Sequence, residues 1–323
     1  MVPDSKDPGL EEAHAYALVT SVRNEAERIG ATIQTVVDQT VLPVAWAIVS
    51  DASTDSTDAV VAEYAQRYPF IRPLRIDREG GASFAAKSRA VARGYDSIRD
   101  CKFDFVGNLD ADMKLPPGYY ETVTQAMAQG FTNANSKNPK IGIAGGSYLN
   151  IIEGRAIPAK SRPGHVPGAV QVFRRECWEQ IGGYPELSFG GEDTAAEMAA
   201  ELAEWGVLAL PELEALHGAP DQAKGIATAA GRMFRSGAMD YHLGYGVGFM
   251  GIKAASRFLE PPAILGSLAR LAGFAMPLFR QDAKELAPEL RSYIREAQKR
   301  RIRSLLGRAN APEAGPQHEP TGQ

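Results

Sequence analysis

The chain has 323 residues, 44% of them hydrophobic and 23% charged, which is enough apolar mass to bury a substantial core. A net charge of −4 argues against a nucleic-acid binder. The two cysteines, Cys101 and Cys177, form neither a metal-type spacing nor a disulfide framework, so a reducing compartment is expected.

Residues 1–15 are polar and acidic, lack the basic and apolar regions of a signal peptide, and read as a flexible N-terminus. Two periods then alternate over residues 16–220. Tyr16–Val22 is a β-branched apolar run and predicts a strand. In Glu27–Gln39, Ile29, Ile33, Val36 and Val37 share one helical face. Val44–Val49 predicts a strand and Asp55–Tyr68 a helix, with Asp55 as its N-cap. Ile71–Ile76 (strand), Ser83–Tyr95 (helix), Phe103–Leu109 (strand), Gly118–Gln129 (helix) and Ile141–Tyr148 (strand) continue the alternation. Gly154–Gly168, rich in Pro, Gly and basic residues, reads as a mobile loop. Ala169–Phe173 (strand), Arg175–Ile181 (helix), Asp193–Trp205 (helix) and Val207–Leu210 (strand) follow. Residues 221–306 are helical in pattern, broken at Pro261-Pro262, and 307–323 read as a disordered tail. The most apolar stretch, Ala263–Phe279, is interrupted by Ser267, Arg270 and Pro277 and falls short of the roughly 20 residues of a spanning helix. From Lys253 to Arg308, 12 Lys and Arg stand against 5 Asp and Glu, so a basic segment follows an acidic body.

Strands alternating with helices predict a parallel sheet with right-handed crossovers, and ligands in such sheets bind at the carboxyl ends of the strands. Three post-strand segments therefore matter. After the first strand, Arg23-Asn24-Glu25 stands where a dinucleotide enzyme would carry G-x-G-x-x-G, which speaks against an NAD site. After the second, Asp51 lies one position before a cap and suits either a base or ribose contact or a turn, while Ser53 and Asp55 suit caps. After Phe103–Leu109, strand periodicity sets Asp110 and Asp112 on one side. Paired carboxylates there suit a hard divalent cation that keeps waters and takes phosphates, or simply a turn. Further along, Gly190-Gly191-Glu192-Asp193 precedes a helix, so Asp193 is an N-cap or a chemical group. His217 pairs with no other histidine at metal spacing.

In this order the segments resemble the family-2 glycosyltransferases, inverting enzymes of the GT-A fold, from about Ala17 to His217. The resemblance implies an α/β fold (GT-A, the Rossmann-like nucleotide-diphospho-sugar transferase fold). Its mixed, mostly parallel sheet is flanked by helices, here with a C-terminal helical extension. It implies that Thr20, Val22 and Glu25 form the first nucleotide-binding turn and that Asp51 holds uracil or ribose. It assigns Gly80-Gly81 with Lys87-Ser88-Arg89 to the segment closing over the nucleotide. Asp112 would bind Mg²⁺ or Mn²⁺ at the diphosphate, with Asp110 on the metal or ribose and His217 as an extra ligand. Glu192 would face the sugar nucleotide, and Asp193 would be the base that deprotonates a hydroxyl acceptor.

The implied donor is a UDP-sugar, and no nucleic acid is expected as a partner. Similar C-terminal tails in bacterial members that build extracellular polysaccharides imply a lipid-linked acceptor at the inner leaflet. The basic balance of Lys253–Arg308 beside interrupted apolar helices suits a cytoplasmic enzyme resting peripherally on an anionic inner membrane face, or else Ala263–Phe279 packs on the catalytic domain and Lys299–Arg303 is a solvated helix face. Arg155, Lys160, Arg162 and His165 of the 154–168 loop reach the diphosphate or acceptor, or belong to a solvated basic loop. Two rival readings stand beside this one. A sugar-phosphate nucleotidyltransferase would carry a basic Gly-rich loop after the first strand, which is absent. A non-catalytic scaffold would not need every carboxylate the resemblance calls for. Spanning helices and a Gln-x-x-Arg-Trp element are missing, which argues against a processive enzyme.

Overall fold

The structure is a computed structural model and describes residues 14–77, 84–130, 140–159, 162–218, 226–260, 262–281 and 285–309, the side chains of 226, 227 and 304–309 excepted. Gly80, Gly81 and Lys160 lie outside the described residues. The chain forms two compact units, Met1–Thr228 and Ala229–Gln323.

The first unit opens with β1 (Tyr16–Val22), α1 (Ile29–Val37), β2 (Ala45–Asp51), α2 (Thr57–Arg67), β3 (Ile71–Ile76), α3 (Phe84–Ile98) and β4 (Phe105–Asn108). It continues with β5 (Met113–Lys114), α4 (Tyr119–Gln129), β6 (Ile141–Ile152), β7 (Arg155–Pro158), β8 (Val172–Arg174), α5 (Arg175–Ile181), α6 (Glu192–Leu202) and β9 (Gly206–His217). One mixed sheet runs β3-β2-β1-β4-β8-β6-β9-β5, with β7 added on β6. The β3-β2-β1-β4 half is parallel, as is β6–β9, while β8 and β5 pair antiparallel with their neighbours. Alternation along β1 builds the two cores. Tyr16, Leu18 and Val22 pack with Ile29, Ile33 and Tyr120, whereas Ala17 and Val19 face Val91, Ile98 and Phe173. Being buried on both faces makes β1 and β2 continuous apolar runs rather than alternating ones.

The structure corrects three expectations. Strand periodicity does not reach Asp110 and Asp112. Pairing of β4 with β1 ends at Asn108, and residues 109–112 turn into β5. Within that turn Ala111 enters the core, and its carbonyl accepts the Thr32 hydroxyl at 2.7 Å. The segment read as a loop, Gly154–Gly168, begins as a hairpin arm, with Arg155 paired to Ile152 and Pro158 to Leu149. The last strand extends from the expected Val207–Leu210 to His217. The register against β6 jumps from Leu210–Gly146 to Glu214–Ser147, so Pro211, which has no N–H to donate, sits in the bulge.

The second unit contains α7 (Ile226–His242, whose first residues precede the unit boundary), α8 (Val247–Ser256), α9 (Leu265–Arg280) and α10 (Pro288–Ala309). The last helix extends past the expected limit at residue 306. Tyr241, Met250 and Phe274 form a small core, and Asp240, buried, takes Lys253 Nζ at 2.8 Å and Arg270 Nη1 at 3.4 Å. Among the described residues no helix is long and apolar enough to cross a membrane.

Candidate active site

The carboxyl ends of β1, β2 and β4 converge, and the turns following β1 and β2 are bonded into one platform. Asn24, at φ 53°, donates its N–H to Ser53 Oγ at 3.2 Å and accepts the Thr54 N–H on Oδ1 at 2.8 Å. Glu25 N–H donates to Thr57 Oγ1 at 2.8 Å and Ala26 N–H to Asp55 Oδ2 at 3.2 Å. Asp55 accepts the Thr57 hydroxyl and N–H, which lowers its carboxyl pKa, although the N-cap position of α2 belongs to Ser56. Glu25 also takes Arg28 Nε at 2.6 Å. Asp51, 7% exposed, ends β2 with Arg23 at 3.9 Å. It borders a cavity of about 610 Å³ shared with Ile76, Asp77, Arg89 and Arg93. Thr20 and Val22 are inward: the Thr20 hydroxyl accepts Trp46 Nε1–H at 3.0 Å and Val22 is a core residue. Their side chains are committed to packing, and only their backbone is left for a nucleotide.

A second cavity, of about 220 Å³, gathers Lys87, Asp110, Tyr148, His165, Glu192 and Asp193. Lys87, on α3, reaches Asp110 at 2.8 Å and Glu192 at 3.7 Å, so it is not on a solvated helix face. Burial lowers its pKa, but the two carboxylates outweigh that and the net shift is upward. Asn108 Nδ2 holds Asp110 Oδ1 at 3.3 Å and also donates to the Gly168 carbonyl. Arg89 is elsewhere engaged, on Glu186 at 2.8 Å.

Glu192 and Asp193 enter the cavity because Gly190 and Gly191 take φ of 88° and 91°, a pair of left-handed positions that L side chains resist. Gly191 is the N-cap of α6, so Asp193 is not. Asp193 Oδ1 accepts the Thr194 N–H at 2.6 Å, Oδ2 accepts the Gly168 N–H at 3.2 Å, and His165 Nε2 lies 3.5 Å away. On the far side of the ring, His165 Nδ1 meets Glu197 at 2.9 Å. That carboxylate is 1% exposed and also takes the Val166 N–H at 2.7 Å and Arg162. Burial alone lowers the His165 pKa; Asp193 and Glu197 reverse this and bring it to about 9. Burial raises the Asp193 carboxyl, but the hydrogen bond and charge of His165 and the two backbone N–H groups turn the shift downward. For Glu192 burial dominates and the pKa rises despite Lys87.

Asp112 and His217 meet at the other end. The β5–β9 register pairs Met113 with His217, which sets His217 Nε2 3.0 Å from Asp112 Oδ2. Asn150 Oδ1 accepts His217 Nδ1–H at 2.9 Å, leaving Nε2 as the nitrogen that faces the carboxylate, and Tyr148 meets the ring edge-on at 5.4 Å. The Asp112 contact raises the His217 pKa. No group of three His, Cys, Asp or Glu among the described residues is arranged around a common metal position, and Asp110 is turned to Lys87. The pair nonetheless fits a hard cation that fills its remaining positions with water and phosphate oxygens.

The sequence readings did not single out Asn108, Tyr148, Asn150 or Glu197. Each is a polar residue on a strand or a helix face, and apart from the Asn108–Asp110 bond its site partners lie far along the chain. Only a buried acid within an otherwise apolar helix face, Glu197, offered a signal.

The family model described as Glycosyl transferase family 2 matches residues 17–170. Among solved structures, the mannosyltransferase PcManGT from Pyrobaculum calidifontis, in complex with GDP-Man and Mn²⁺, aligns with TM-score 0.54 at 15% identity, covering 94% of this chain and 89% of that one. TarS from S. aureus aligns with TM-score 0.47 at 13% identity, covering 83% of this chain and 92% of that one. No curated protein matches the chain. The family match spans β1 to the turn before β8, including Asp51, Asp110 and Asp112, and the sheet is that of the GT-A fold. The chain carries a Glycosyl transferase family 2 domain over residues 17–170, on a GT-A fold.

Proposed function

We propose that the enzyme is metal-dependent and inverting, moving a sugar from a nucleoside diphosphate, UDP in the first instance, to a hydroxyl acceptor. The observation that carries this reading is Asp193 facing the same cavity as Asp110 and Lys87, with the Asp112–His217 pair adjoining it across Tyr148. Asp193 is the base. Its lowered pKa keeps it ionised at neutral pH, able to accept the proton of an acceptor hydroxyl as the oxygen attacks the anomeric carbon. Thr194 N–H, Gly168 N–H and His165 fix the carboxylate's orientation. Lys87 and Asp110 hold the ribose–diphosphate end, Asp51 and Glu25 the nucleoside end, and Glu192 the sugar. Asp112 and His217 would hold Mg²⁺ or Mn²⁺, which supplies Lewis-acid stabilisation of the leaving diphosphate.

The acceptor is proposed to be lipid-linked, in cell-surface polysaccharide or glycolipid synthesis, with the second unit attached peripherally to an anionic membrane. Nothing favours the nucleotidyltransferase or scaffold readings over this one. The test is a thermal-shift panel of nucleoside diphosphates with and without Mn²⁺. At about 100 times Kd a productive ligand adds roughly 2.7 kcal/mol of stability. That gain requires the metal and disappears in Asp112→Asn; a metal response unchanged in the variant overturns the assignment.

A further inference from the structure

α9 is built inside out. Its buried residues are Gly266, Ser267, Arg270, Gly273, Phe274 and Pro277, while Leu265, Leu268, Leu271, Leu278 and Phe279 are exposed. Leu265, Leu268 and Leu271 recur every three residues and Leu278 lies two turns beyond Leu271, so these leucines share one side of the helix. α8 and the connection to α9 extend it with Val247, Ile252, Phe258 and Leu259, the last 85% exposed. A helix resting on a protein core in water shows the opposite pattern, and exposed large apolar side chains on two helices that pack together exceed the single scattered ones of an ordinary surface.

Three polar groups of the hairpin, Lys253, Ser267 and Arg270, turn inward. Lys253 on α8 and Arg270 on α9 both close on Asp240 of α7, Arg270 also bonds Ser236 Oγ at 2.7 Å, and Ser267 Oγ donates to the Ala254 carbonyl at 3.0 Å. α7 and α9 approach so closely that a Cβ on Gly237 would strike the backbone of Arg270, and one on Gly273 the backbone of Phe234. Helices that pack through glycine and internal ion pairs, and present leucine outward, are suited to a low-dielectric exterior.

We infer that the outer faces of α8 and α9 form a membrane-inserting surface, lying in the interfacial plane of an anionic bilayer. This rests on the membrane attachment proposed above and names the surface that makes it. Helices of 10 and 16 residues are too short to span, so they lie in the plane. The choice of a bilayer over a second copy of the chain follows from charge. Arg257 and Arg280 border the stripe, and Arg295, Lys299, Arg300, Arg301 and Arg303 are exposed on α10 of the same unit. This complements anionic headgroups and would repel an identical unit.

The test is co-sedimentation of the full chain with phosphatidylcholine vesicles, with and without phosphatidylglycerol, across a salt range. Wild-type protein is expected to bind the anionic vesicles and to retain part of its binding at about 0.5 M salt, where surface attraction is screened. Leu268→Gln/Leu271→Gln/Phe279→Gln is expected to lose that salt-resistant part, with partitioning at least about tenfold weaker. Its melting temperature and nucleoside-diphosphate binding should be unchanged, because the residues face outward. A triple variant that binds like wild type, while binding is abolished by salt, overturns the inserting surface and leaves a purely electrostatic attachment. No binding to any vesicle removes both. A wild-type dimer in light scattering that the triple variant converts to monomer assigns the stripe to self-association and likewise overturns the inference.

Discussion

Asp193 can be separated from a helix cap by a single atom exchange. The N-cap of α6 is Gly191, and the Asp193 carboxylate bonds Thr194 N–H and Gly168 N–H instead. Asn preserves an oxygen for those donors but cannot take a proton. Asp193→Asn is therefore expected to melt and bind donor like wild type and to lower turnover on the order of 10²–10⁴-fold in a transfer assay; near-normal transfer would exclude the base. The neighbouring His165 gives a pH signature. Its pKa is raised from 6.5 to about 9 in the folded protein, so the imidazolium's contribution to stability is complete below pH 6.5 and is lost as pH rises through 9. The groups facing it are Asp193 and Glu197, with Arg162 on the latter. Chemical denaturation of wild type should show stability declining across that window, and His165→Gln should flatten the decline. An equally steep decline in the variant would mean other groups control it.

Elements were legible where burial fixed one period. β1 and β2 are found where the apolar runs put them, and α1, α2, α4 and α5 within a few residues, because two-sided burial and amphipathic stripes are local signals; β3, IRPLRI and largely exposed, also falls where expected. What was illegible depended on partners far along the chain. β5 has two residues and exists because His217 and Leu216 pair with it. β9 continues beyond Pro211 because β6 offers a ladder on the other side of the bulge. The same holds in the site. Asp51, Asp110, Asp112, Asp193 and His217 could be suspected from their places after strands or before a helix. Asn150 behind His217, 67 residues away, could not, and Glu197 showed only as an acid on an apolar helix face, with nothing to tie it to His165 32 residues earlier. Thr20 and Val22 illustrate the reverse: the motif places them at the nucleotide, but β1 is so deeply buried that their side chains serve the core.

At the scale of the whole chain, net charge misleads unless each charge is traced to its partner. Of the basic residues that tip Lys253–Arg308 positive, Lys253 and Arg270 are spent on buried Asp240 and cannot attract a surface. Lys299 is held by Glu296 at 2.6 Å, though both remain exposed. Arg300, Arg301 and Arg303 are exposed on α10 and are the residues through which the second unit would feel an anionic membrane. Replacing Lys299, Arg300, Arg301 and Arg303 with Gln should weaken binding to phosphatidylglycerol-containing vesicles at low salt, by up to about fivefold per charge removed. The loss should shrink as salt rises, because charges beyond a Debye length of about 10 Å at 0.1 M are screened. Burial of the α8–α9 leucines carries no such dependence, so the charge variant and wild type should converge at high salt. The slope of binding against salt is therefore the measurement, rather than binding at one condition. A slope unchanged by removing all four charges would show that α10 does not face the headgroups.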